Sequence, residues 1–272
     1  MVVIGILSGK GGVGKTTVST NLAIALSREF KRNVILLDSN LSSAHVGLHF
    51  GVYEELENTL PDLLKQKKEV DLDKSVYSHN ETGVNIIPSS MSIHDDVNLK
   101  KLKNLVRKLA KSPYDFVLMD AAPGFGPDMY QVINSADEIL VVTTPNIPDV
   151  SDAVKITELL KKMKKKITGI VLNRVTEEKY ELGMEELRST FNAPIIAVVP
   201  EDKRVPESIS LGMPVVTYEK FSKASIALKK LAAKIAGEKY KRPSVFARVA
   251  DFFSATPKPE KRRVSVVLKG TE

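Results

Sequence analysis

Near-continuous apolar runs recur along the chain at 2–8 (VVIGILS), 33–38 (NVILLD), 83–88 (GVNIIP), 115–120 (DFVLMD), 138–144 (EILVVTT), 167–173 (ITGIVLN) and 194–200 (PIIAVVP). A strand that alternates apolar and polar residues is buried on one face only. One that is apolar throughout is covered on both, as in a parallel sheet between helical layers. Stretches of helical character separate the runs, at 15–29, 59–66, 98–111, 128–134, 150–165, 184–191, 203–210 and 222–236. The alternation predicts an α/β fold with one doubly wound, mostly parallel sheet flanked by helices. No internal repeat interrupts it.

The pattern changes near Gly237, where AGEKYKRP (236–243) brings glycine, charge and proline together. The expected organisation is therefore a body over 1–237 and a C-terminal extension over 238–272. Within the extension, 243–254 reads as an amphipathic helix. At 3.6 residues per turn Val245, Phe246, Val249, Ala250, Phe252 and Phe253 fall within an arc of about 160°, with Arg248, Asp251 and Ser254 facing away. Residues 255–263 (ATPKPEKRR) are proline-rich and basic, a linker by composition, and VSVVLKG (264–270) fits an extended strand or a disordered end.

Between the first strand and the first helix lies LSGKGGVGKTT, from Leu7 to Thr17. Gly9 to Thr16 satisfies GxxxxGK[ST] in the strand–loop–helix context that motif requires. Glycines let backbone N–H groups converge on phosphate oxygens, and the helix N-terminus adds partial positive charge. Lys15 is expected to reach the β- and γ-phosphates and the Thr16 hydroxyl to take a Mg²⁺ position. Gly11, Gly12, Val13, Gly14, Lys15, Thr16 and Thr17 are the expected nucleotide contacts.

Composition narrows the chemistry further. The 272 residues include no cysteine, which removes disulfides, iron–sulfur clusters, thiolate zinc sites and a cysteine nucleophile. Four scattered histidines without an HExxH leave hard cations on oxygen ligands as the expected metals. Lys+Arg of 40 against Asp+Glu of 33 gives a net charge of +7, which suits an anionic partner without naming one. No basic leader precedes the first apolar run, and none of the runs approaches the ~20 residues of a membrane span. A cytoplasmic protein, peripheral at the inner face of the cell membrane, is expected.

KGGVGKTT resembles the deviant Walker A motif of the MinD/ParA family, the SIMIBI class of P-loop ATPases, and the resemblance runs through residues 1–236. It implies ATP hydrolysis with Mg²⁺, expected to be slow here because of the departure at Asn40, and a homodimer formed on ATP, in which Lys10 reaches across the interface to the partner's phosphates. VILLDSNLSSAHVGLHFG (34–51) looks like the family's switch I and is similar above all to archaeal MinD-like proteins. VLMDAAPGFG (117–126) looks like Walker B and switch II. The resemblance implies that Asp120 and Asp38 organise Mg²⁺, directly or through water, and that Gly124 offers an N–H to the γ-phosphate. It also implies that Asn173 hydrogen-bonds the adenine, with Arg174, Pro200 and Asp202 lining the pocket. The family's switch I often ends D-x-D, whereas here it reads Asp38-Ser39-Asn40. Asn40 can hydrogen-bond an attacking water but cannot take its proton.

MinD proteins carry a C-terminal targeting helix that the 243–254 segment resembles. Val245, Phe246, Val249, Phe252 and Phe253 are its candidate anchors to an anionic membrane, against the alternative that the helix packs on its own domain or a partner protein. Unlike the family's helix, it is followed by further residues. The run KKMKKK (161–166) is either a solvated helix end or a nonspecific DNA patch of the ParA kind. Three functions stay open: a MinD-like positioning ATPase at the membrane, a ParA-like DNA-coating ATPase, and an ATP-locked scaffold that recruits a protein partner.

Overall fold

The structure, a computed structural model, describes residues 1–41, 44–52, 58–65, 72, 75–90 and 97–241. The strands are β1 (Val2–Leu7), β2 (Val34–Ser39), β3 (Tyr77–His79), β4 (Val84–Ile87), β5 (Phe116–Ala121), β6 (Glu138–Thr143), β7 (Lys166–Val175) and β8 (Ile195–Pro200). The helices are α1 (Lys15–Phe30), α2 (Val46–His49), α3 (Leu60–Lys65), α4 (Leu102–Leu109), α5 (Pro127–Ser135), α6 (Ile147–Lys162), α7 (Met184–Thr190), α8 (Arg204–Ser210), α9 (Val215–Tyr218) and α10 (Lys223–Ala236).

One sheet runs β3-β4-β2-β5-β1-β6-β7-β8, parallel throughout except for β3, which pairs antiparallel with β4. Consecutive residues of a strand face opposite sides, so the apolar strands feed two cores. Ile35, Leu37, Val117 and Met119 point into the layer of α3, α4, α5 and α6. Val34, Leu36, Phe116 and Leu118 point into the layer of α1 and α10. All seven predicted strands are present, and the fold is the doubly wound one their pattern required.

The differences are local. β3, α2 and α9 span three or four residues, too short for a periodicity to register. α6 starts at Ile147 rather than 150, because Pro148 sits in its first turn, where a missing N–H costs nothing. The expected helix over 98–111 is a 3₁₀ turn at Leu99–Lys101 leading into α4. α10 closes at Gly237 in the left-handed conformation that ends helices. The amphipathic 243–254 segment lies outside the described residues.

Candidate functional site

The site forms at the carboxyl ends of β1, β2 and β5, where the sheet order changes direction and α/β folds collect ligands. β1 runs into the glycine loop, and the loop into α1, whose N-cap Gly14 has φ 86°. A Cβ at Gly14 would lie 2.1 Å from Asn173 Nδ2. Conformation and space therefore both demand glycine there. A Cβ at Gly9 would lie 2.3 Å from Asp152 Cβ, so the loop also packs against the start of α6.

The parallel register of β2 and β5 sets Asp38 directly beside Asp120. Both are buried. The Asp120 carboxylate accepts from Lys15 Nζ through Oδ1 at 2.9 Å and from the Thr16 hydroxyl through Oδ2 at 2.7 Å. Asp38 accepts from the backbone N–H of Asn40 (3.2 Å), His45 (3.1 Å) and Val46 (3.1 Å), so the switch I backbone is wound around it. Burial first, and the Asp120 charge second, raise the Asp38 carboxyl to about 7; the Val46 and Asn40 N–H groups and Lys15 offset this only in part. Thr16, Asp38 and Asp120 thus form an all-oxygen set with excess negative charge, which suits a hard divalent cation. Among the described residues no three His, Cys, Asp or Glu side chains are placed to hold a metal ion by themselves, so a bound cation would depend on ligand and water oxygens too.

His49, which the sequence did not single out, lies close by, its Nδ1 3.5 Å from Thr20 Oγ1. Burial lowers its pKa to about 4 against an opposing pull from Asp120. It is a neutral imidazole at pH 7.

Several expected ligand contacts are engaged within the protein. Gly124 donates its N–H to the Ser8 carbonyl at 3.0 Å, so offering that N–H to a phosphate requires this bond to break. Asn173 Nδ2 donates to the Val13 carbonyl at 2.8 Å, and Arg174 reaches the Gly12 carbonyl at 3.2 Å while pairing with Glu201. Pro200 ends β8, two residues before Asp202. The Asp202 carboxylate accepts from the N–H groups of Arg204 and Ala224 and so pins α8 to α10; burial acts to raise its pKa, but these bonds hold it below the ordinary value. Asn173 and Arg174 sit at the carboxyl end of β7 and touch the glycine loop, while Pro200 ends β8 and Asp202 follows it.

Lys10 points the other way. Its Nζ lies 3.7 Å from Asp149 and 3.9 Å from Asp152 on α6, and the side chain is 44% exposed. The sequence reading missed both partners, although an acidic residue in the first turn of a helix was the available signal for Asp149. It also passed over Phe125, Tyr130 and Ile147, large apolar residues left exposed just beyond the ends of β5 and β6. In KKMKKK, Lys165 donates to the Ala136 carbonyl at 2.8 Å and Lys166 pairs with Glu138. Lys165 is therefore engaged within the fold, whereas Lys166 is exposed and held by a surface ion pair.

A parallel sheet with a strand–glycine loop–helix unit at its switch point, a loop lysine and a strand-end aspartate defines a P-loop nucleotide-binding protein. The profile described as "ParA: NUBPL iron-transfer P-loop NTPase" matches residues 1–236. An ATP-binding protein of Methanocaldococcus jannaschii is 37% identical over 242 residues, covering 88% of this chain and 89% of that one. The septum site-determining protein MinD of Pyrococcus horikoshii, solved with Mg-ADP, superposes with a TM-score of 0.78 at 33% identity, over 86% of this chain and 95% of that one. The cell division ATPase MinD of Pyrococcus furiosus gives 0.79 at 32% identity, over 87% and 98%. The chain belongs to the ParA/MinD family of P-loop NTPases.

Proposed function

We propose that the chain is a MinD-like ATPase of the archaeal kind, which dimerises on Mg-ATP, hydrolyses it slowly and acts as a nucleotide-switched positioning factor at the inner face of the cell membrane. The observation that carries this reading is the setting of Lys10. Its two ion pairs are long and partly exposed, a class that contributes about 0–1 kcal/mol, so the side chain is released at little cost. The exposed Phe125, Tyr130 and Ile147 offer apolar surface on the same end of the sheet. Both features suit a lysine that leaves its own chain to meet a second copy.

Within one chain, Lys15 must exchange Asp120 for phosphate oxygens, and the glycine-loop N–H groups supply the remaining donors. Thr16, Asp38 and Asp120 would hold Mg²⁺, whose chemistry there is charge neutralisation at the phosphate oxygens. Asn40 orients the attacking water without taking its proton. Asn40→Asp is therefore expected to raise turnover about tenfold or more, read as phosphate release under saturating Mg-ATP. Unchanged turnover would remove Asn40 from the water's position. Iron–sulfur transfer, named in the profile's description, is not proposed, because the chain has no cysteine to supply thiolates.

Two experiments test the cycle. Lys10→Ala should bind ATP but sediment as a monomer, where the parent chain sediments as a dimer; an ATP dimer of the variant would refute the cross-interface role. Full-length protein should pellet with anionic liposomes in ATP and not in ADP, and Phe252→Glu with Phe253→Glu should abolish this. Pelleting with plasmid DNA instead would favour the ParA-like reading, which the engagement of Lys165 by the Ala136 carbonyl weakens. Binding to neither would favour the recruiting scaffold.

A further inference from the structure

β8 is an edge strand: β7 lies on one side, and no strand pairs with the other among the described residues. Open edges recruit further strands unless they are blunted. Here the blunting is incomplete. The register between β7 and β8 slips at Ile196, and Lys234 Nζ donates to the Ile196 carbonyl at 2.5 Å. A bulge and a lysine are both edge-protecting devices. Two residues on, Val198 is 40% exposed, unusual for a strand residue in an otherwise apolar run.

The edge opens onto a groove of about 310 Å³ between β8 and α10. Its floor is apolar, with Val198, Ile226 and Ala227. Its rim is cationic, with Lys223, Lys230 and Lys234, and no carboxylate lines it. Those lysines recur at a spacing that puts them on one face of α10. All three are exposed.

We propose that this edge and groove capture an extended segment of a partner protein by strand addition, the segment carrying small apolar side chains flanked by Asp or Glu. Backbone pairing along 195–200 supplies affinity, and the apolar floor accepts alternate side chains. The lysine rim selects the sign of charge, and a partner carboxylate draws Lys234 off the Ile196 carbonyl and frees the edge there. Charge decides among occupants. A second copy pairing edge to edge would bring one lysine face against another. The chain's own apolar segment at 264–268 is preceded by Lys261, Arg262 and Arg263, again the wrong sign. The surface lies on the far side of β7 from the glycine loop and shares only Pro200, at its end, with the expected adenine pocket.

The test uses the full chain and a synthetic nonapeptide, Glu-Glu-Val-Thr-Val-Thr-Val-Glu-Glu, with a second peptide of the same sequence N-methylated at all five central residues, so that neither edge can donate. The unmodified peptide should bind in fluorescence anisotropy and slow exchange of the amides within 195–199 that face away from β7 by about tenfold. The N-methylated peptide keeps the charge but cannot pair, and should not bind. Lys230→Glu with Lys234→Glu should weaken binding by about tenfold or more while nucleotide binding is unchanged. The proposal falls if neither peptide binds, or if both bind equally, which would make the contact ionic only. It falls also if the amides within 195–199 that face away from β7 are already protected in the peptide-free chain, since the edge would then be covered by the chain's own extension or by a second copy.

Discussion

A Lys15→Ala chain is expected to lose nucleotide binding and to unfold more easily by about 3–5 kcal/mol, the range for removing one partner of a buried ion pair. Lys15 is 6% exposed and Asp120 1%, so neither charge has water to fall back on. Removing the ammonium leaves the Asp120 carboxylate with only the Thr16 hydroxyl and the unfavourable neighbour Asp38. Chemical denaturation at pH 7 reads the stability loss, and calorimetric titration with ATP the binding loss. The paired replacement Lys15→Met with Asp120→Leu separates the two effects: stability should return to near the parent value, because no uncompensated charge remains, while binding stays lost. A Lys15→Ala chain as stable as the parent would mean that the pair does not share the buried environment described.

Asp38→Asn is expected to give the chain a stability that rises with pH, where the parent varies little, in the absence of divalent cations. With a folded pKa of about 7 against an ordinary 3.8, the folded chain holds a proton that the unfolded chain gives up between those values. Stability from this group is therefore full below pH 3.8 and lost as pH rises through 7, by up to about 4 kcal/mol. His49 works in the opposite sense. Its folded pKa of about 4 lies below the ordinary 6.5, so its contribution is full above pH 6.5 and lost as pH falls toward 4. In the parent chain the two slopes oppose each other and flatten the profile.

Asn at position 38 removes one of them and leaves the acid lability of His49 exposed. It keeps one acceptor for the His45 and Val46 N–H groups and turns its amide toward Asn40 N, already the longest of the three contacts at 3.2 Å. Denaturation midpoints from pH 4 to 8 should rise with pH in the variant and vary little in the parent. Parallel profiles would contradict a neutral Asp38 in the folded chain.

The sheet was legible because burial on both faces leaves a signature in each strand by itself: VILLD and FVLMD need no knowledge of their neighbours. The glycine loop was legible for a similar reason, since phosphate binding fixes residue types at fixed local spacing. The pairing of Asp38 with Asp120 was not. It depends on β2 lying next to β5, a fact of strand order that no local pattern encodes. Lys10 illustrates the same limit, its carboxylate partners lying about 140 residues away on α6. Asn173 and Asp202 show another: a polar side chain marks a site, but only the fold reveals that the Asn173 amide holds the loop backbone and the Asp202 carboxylate joins two helices.

The hydrogen bonds from Asn173 to Val13 and from Arg174 to Gly12 carry a consequence for how the glycine loop moves. The loop is continuous with β1 yet splinted to β7, two places across the sheet. Its shape is therefore not a local property that can fray alone. Losing it means parting the carboxyl end of β7 from the loop as well, so the loop and the far half of the sheet should melt as one unit.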